Sequence, residues 1–357
     1  MGNNCCESPN SQKQYAPQYY INNKSGSKEK KDINNISSNQ NEINKGIAPN
    51  NQKTKINNNN NRYEIKSQPI PTYKKFNIIK SIRYSDNITF LLELNNKKLM
   101  AGSSNGTMSI LNLDNFEIEY SIKEENKILC LLEFEPNMIL CGTQSKSINL
   151  WNIIQNKKVN SFNKHLLSVN CLVKCNEKYF ASASNDKNII IWDYSQRKYV
   201  RTLTGHTNNI FCLIKLNNKS QLCSGSADKT VKIWNWENGE CEHTIQHESW
   251  VKSLCQLLND SIISGSDDNT IKKWYDYKIE NTFNEHQGSV KCLCNINNKY
   301  IASGSFDSTI KIWDLDGNKC VQTLTEHKDK VICLLNHSRG YLVSCSNDKT
   351  IKFWKQV

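Results

Sequence analysis

Ser303-Gly304-Ser305-Phe306-Asp307-Ser308-Thr309-Ile310-Lys311-Ile312-Trp313 decides the fold, because nearly the same eleven residues return along the chain. Four further copies keep an Asp six residues before a Trp, at Asp186/Trp192, Asp228/Trp234, Asp268/Trp274 and Asp348/Trp354. Two worn copies precede them: one ends at Trp151 with Ser145 in the Asp position, the other at Leu111 with Asn105 there. Each copy reads as a small-residue strand ending in Ser, a polar turn such as Ala227-Asp228-Lys229, and a β-branched strand such as Thr230 to Trp234.

About 21 residues before each turn Asp stands a His: His165, His206, His247, His286 and His327. A β-rich run follows each His, as at Val290 to Cys294, and another follows each Trp, as at Cys320 to Leu324. Each repeat therefore predicts four strands. The copies end at 111, 151, 192, 234, 274, 313 and 354, a period of 39 to 42 residues, which is the length of a propeller blade.

With Gly205-His206 opening a repeat and Trp192-Asp193 or Trp313-Asp314 closing one, the chain resembles the WD-repeat β-propeller family over residues 74–357. The resemblance implies an all-β fold: a single seven-bladed propeller around a central channel, with binding on its rims. It also implies a buried chain of side chains in each good repeat, from Asp to His to a strand Ser to the indole of Trp. In the repeat quoted first, Ser303 and Ser305 share one strand face, and either one satisfies the pattern. Tyr84 and Glu124 stand at the His positions of the first two repeats, so these are expected to lack the network.

Ser, His and Asp together also describe a hydrolase triad. A catalytic set is needed once, whereas this one recurs in five repeats, so the sequence points to structure and to a non-enzyme. No phosphate-cradling glycine loop occurs, and no cofactor is expected. Five of the 15 Cys (Cys130, Cys171, Cys212, Cys292 and Cys333) fall at one phase of the repeat as small core residues. Cys171/Cys175 and Cys292/Cys294 lack partner ligands at zinc spacing, so no metal is expected. So many thiols without a disulfide framework suit the cytoplasm.

Residues 1–73 contain 17 Asn and few apolar residues, and read as a disordered Asn/Lys-rich tail. At its start Gly2, Cys5 and Cys6 resemble a myristate-plus-palmitate signal, with Cys6 where Ser or Thr is usual. The tail carries ten Lys and Arg against five Asp and Glu, +5 of the net +12, leaving +7 on the ring. That mild excess, unclustered in sequence, argues against nucleic acid as the partner. The chain ends three residues after Trp354, so the last repeat has three runs, and Tyr73 to Lys80 is expected to supply the missing strand.

The function expected is a scaffold or adaptor for other proteins, a monomeric ring within a larger complex, on the cytoplasmic face of a membrane if its tail is acylated. The alternatives are a ubiquitin-ligase substrate receptor and a ribonucleoprotein component. Against the first, a Trp-Asp-x-Arg contact would need Arg where Ser195 stands. The partner rim is expected where each repeat presents the residue before the turn Asp and the residue before the first strand. Most such residues are small or polar, but Trp250 and Phe306 on neighbouring blades are predicted to form one apolar patch flanked by Asp267 and Lys330.

Overall fold

The computed structural model describes residues 73–217 and 220–357; the acylation motif at Gly2, Cys5 and Cys6, and residues 1–72 of the tail, lie outside them. The described residues form seven four-stranded antiparallel sheets. Six blades are continuous in sequence, spanning 88–123, 128–163, 169–203, 210–246, 251–283 and 290–324. The seventh joins Val331–His337, Tyr341–Ser346 and Thr350–Gln356 to the first strand of the ring, Phe76–Arg83. The innermost strand of each blade packs on that of the next, and the seventh on the first, so the ring is closed.

Blade six shows why the repeat has its composition. Its second strand, Tyr300–Ser305, has a blade on either side, and all but its first residue are buried. Only small side chains fit the narrow inner part. A Cβ at Gly304 would fall 2.6 Å from Cys292 Sγ and 2.6 Å from Val331 Cγ1 of the next blade, closer than real contacts. The turn after it holds Ser308 at φ 69°, and the equivalent Lys187, Lys229, Asn269 and Lys349 are also left-handed. The third strand places Ile310 and Ile312 in the core shared with blade seven, among Val331 and Leu334, and Trp313 in the core shared with blade five, among Leu257 and Ile271. Burying such an aromatic stabilises by about 2 to 3 kcal/mol. The five in-phase cysteines are all buried.

The closing strand differs in position from its expected bounds. It runs from Phe76 to Arg83, not from Tyr73 to Lys80, pairing Phe76 with Gln356 and Arg83 with Thr350. The polar Ser81 and Arg83 are accommodated because this is the outer edge of a blade and most of its side chains are exposed. Phe76 is the buried anchor, against Leu334, Leu342 and Trp354. Gln322 of blade six clamps the entry: its Oε1 accepts from Phe76 N and Tyr73 Oη at 2.8 Å, and its Nε2 donates to Phe76 O at 2.7 Å. Tyr73, read as tail, thus packs on the ring and lies 5.1 Å from the Tyr300 ring.

Candidate partner-binding site

Each His lies in the loop that delivers the chain to an innermost strand, and its ring is buried. His165, His206, His286 and His327 hold Asp186, Asp228, Asp307 and Asp348 through Nδ1 at 2.7 to 2.8 Å. Their Nε2 atoms meet Ser182, Ser224, Ser303 and Ser344 at 2.7 Å. Those hydroxyls accept from the indoles of Trp192, Trp234, Trp313 and Trp354 at 2.7 to 2.9 Å. A carboxylate can only accept, so Nδ1 carries the proton and Nε2 accepts from the hydroxyl. Ser303 is therefore the network serine. Ser305 serves the turn, donating to Gly288 O at 2.8 Å and accepting from Asp307 N.

Two blades depart from expectation. In blade five His247 meets Ser264, and Trp274 donates to the same hydroxyl, but His247 Nδ1 has no partner and Asp268 bonds only within its turn. The next residue is Glu248, where the other four loops have Leu166, Thr207, Gln287 or Lys328, whose amide binds the turn Asp. Blade two, expected to lack a network, has one built on Glu124. Buried to 1% exposure, Glu124 Oε2 accepts from Asn149 Nδ2 and Trp151 Nε1, each at 2.9 Å, and Ser161 donates to Asn149. Glu124 spans in one side chain what His and Ser span in two. Blade one has no such chain: the Tyr84 hydroxyl is buried without a partner, beside a cleft of about 240 Å³ lined by Ser103, Ser109 and Ser121.

These networks fix protonation. Burial lowers His206 and His327, with Lys232 and Lys352 adding to the effect and the paired Asp opposing it. Burial and Lys272 bring His247 down to about 4. Burial alone would raise Asp228, Asp307 and Asp348, but hydrogen bonds from the His ring, a Thr hydroxyl and the loop amide hold them well below the usual carboxylate range. Both depressions mean that the unfolded chain takes up protons first on acidification. The stability they contribute is fully present above the unfolded His value of about 6.5 and is lost as pH falls. The melting temperature should be level above about pH 7 and fall towards pH 4, with His247 alone accounting for up to about 3 kcal/mol. A His247→Gln ring should lose part of that slope; a melting temperature that rises on acidification would contradict the assignment.

The rim residues converge at one mouth of the channel. In each of the five blades that follow the two worn repeats, the residue before the turn Asp donates its N–H to the carbonyl of the residue before the first strand: Asn185 to Ser168, Ala227 to Asn209, Asp267 to Trp250, Phe306 to Ser289 and Asn347 to Lys330. Trp250, Asp267, Phe306 and Lys330 line a single cavity of about 540 Å³. Trp250 is 42% exposed, the most open aromatic there. Its ring partner is Phe211 of blade four, 6.0 Å away. Phe306 turns the other way, onto the core shared by blades seven and one, with Lys330 Nζ 4.8 Å above its ring.

Phe211, Lys252 and Lys291 also line the cavity and were not picked out from the sequence. They hold the second position of the first strand, which is Thr89, Leu129, Asn170 and Ile332 in other blades. That residue lies between the leading Val or Ile and the core Cys, so it faces away from the core. Among the described residues no group of three or more His, Cys, Asp or Glu could hold a metal, and no helix is long and apolar enough to cross a membrane.

A family model for the WD40 repeat (WD domain, G-beta repeat) matches residues 156–193, 197–235, 239–275, 277–314 and 318–355. The DDB1- and CUL4-associated factor 13 of Xenopus tropicalis is 42% identical over 57 residues, 15% of this chain and 13% of its own length. The nuclear distribution protein PAC1 of Saccharomyces cerevisiae (strain YJM789) is 46% identical over 56 residues, 15% of this chain and 11% of its own. The chain thus spans about an eighth of the length of these curated relatives.

Proposed function

Because the chain belongs to the WD40 family of WD-domain, G-beta repeat proteins, we propose that its ring is a non-catalytic protein-interaction module that receives a partner at the mouth lined by Trp250 and Phe306. The observation that carries this reading is Trp250, a large aromatic left 42% exposed beside a cavity while most of the rim is small or polar. Exposed aromatics in such a setting act as anchors, each contributing about 2 kcal/mol or more when a partner buries it. The His-Asp-Ser sets favour the same view, since they are buried, recur in four blades and satisfy one another. A ring that buries so many thiols belongs in a reducing compartment, the cytoplasm in this proposal.

The likeness to DDB1- and CUL4-associated factor 13 extends over 57 residues, little more than one repeat, and supports the repeat more than any one partner. Ser195, where a Trp-Asp-x-Arg contact has Arg, donates to Asp193 within its own turn. The test is affinity capture with the full chain carrying Trp250→Ala and Phe306→Leu, the second chosen because Phe306 also packs on the core. The double variant should melt like the wild type and lose its captured partners. Retention of every partner would move the site elsewhere on the ring.

A further inference from the structure

The chemistry of the mouth selects among partner segments. Lys127, Lys252, Lys291 and Lys330 line it against one acid, Asp267. Lys252 is 8% exposed, and its ammonium lies 4.1 Å from the Phe211 ring centroid and 4.4 Å from that of Trp250. Its ion-pair partner, Asp267 Oδ1, stands 3.7 Å away, beyond hydrogen-bond distance. Burial pushes the Lys252 ammonium down from its ordinary value, and Asp267 only partly offsets this. The ring faces attract the cation without accepting a full hydrogen bond, so a carboxylate entering beside Trp250 gains a charge-assisted bond that Asp267 does not already make. Across the mouth, Lys330 over Phe306 repeats the pairing of ammonium and ring.

We propose that the mouth recognises an acidic peptide segment carrying an apolar side chain, with one carboxylate reaching Lys252, a second reaching Lys330, and the apolar group lying against Trp250 and Phe211. This rests on the reading that the mouth is the binding surface. Charge complementarity selects the occupant. The chain's own first 73 residues carry ten Lys and Arg against five Asp and Glu and share the sign of the mouth. A nucleic-acid strand is held along an extended basic groove that tracks its backbone, whereas these lysines line one cavity of about 540 Å³ that also holds the acid Asp267.

The test measures anisotropy of labelled peptides with the full chain: an alternating Glu and Phe peptide, matched peptides with Gln or Lys for Glu or Ser for Phe, and an oligouridylate. The Glu/Phe peptide should bind about tenfold more tightly than the Gln/Phe peptide and weaken as salt is added. Lys252→Met and Lys330→Met, which keep the stems, should each weaken it by about fivefold with melting curves unchanged. Equal binding of the Gln/Phe or Lys/Phe peptide, or tighter binding of the oligouridylate, overturns the proposal. Partner capture separates the two readings. Loss with Trp250→Ala and Phe306→Leu but not with the two Lys→Met changes would keep the mouth and reject the acidic segment; retention with both sets would reject the mouth as well.

Discussion

A chain beginning at residue 84 is expected to aggregate and to show no cooperative melting, whereas one beginning at residue 67 should melt like the full chain. The first deletion removes Phe76–Arg83, the outer strand of blade seven, which pairs with Thr350–Gln356 from Phe76/Gln356 to Arg83/Thr350. Without it the last strand becomes an open edge with unpaired backbone groups, a template for pairing with other chains. Phe76 leaves the core around Trp354, and Gln322 loses the backbone it clamps on both sides. The effect reaches beyond one blade, because blade seven joins the end of the ring to blade one through their innermost strands. The second deletion removes none of these contacts. Equal melting of the two shortened chains would show that the ring does not depend on this strand.

The next largest effect should come from Glu124, in a blade whose sequence lacks the His. Glu124→Ala leaves Trp151 Nε1 and Asn149 Nδ2 as buried donors without their acceptor. At about 1 to 3 kcal/mol for each stranded group, the loss should reach roughly 3 kcal/mol or more. Asp307→Ala should cost about 1 to 3 kcal/mol, since it frees His286 Nδ1 and the Gln287 amide together. Asp268→Ala should cost less than about 1 kcal/mol beyond its turn bonds, because His247 does not hold that carboxylate. Denaturant unfolding of the three variants checks the ranking; equal losses from Asp268→Ala and Glu124→Ala would contradict the assigned bonds.

The repetition made the ring legible in the sequence, and the departures from repetition are where it was not. Asp, Trp and His recur at fixed spacing because each blade must bury the same turn and the same indole, so seven blades and their closing strand could be anticipated. Ser303 and Ser305 could not be told apart by alternation, since residues two apart share a strand face; distance from the turn decides between them, and Ser305 lies close enough to bind the turn itself. Glu124 stood at the His position and was expected to end the network because it lacks a ring with two nitrogens, yet a carboxyl reaching both Asn149 and Trp151 is another solution to the same burial problem. At the mouth, Trp250, Asp267, Phe306 and Lys330 came from the repeat phase, whereas Phe211, Lys252 and Lys291 lie one residue inside the strand.

The mouth as the partner surface is tested most directly by hydroxyl-radical footprinting of the ring alone and in complex with a captured partner. Trp250, 42% exposed in the free ring, should be oxidised markedly less in the complex, while Tyr199 and Tyr275 away from the mouth, at 53% and 52% exposure, should react as before. Unchanged oxidation of Trp250 with the partner bound would contradict the account.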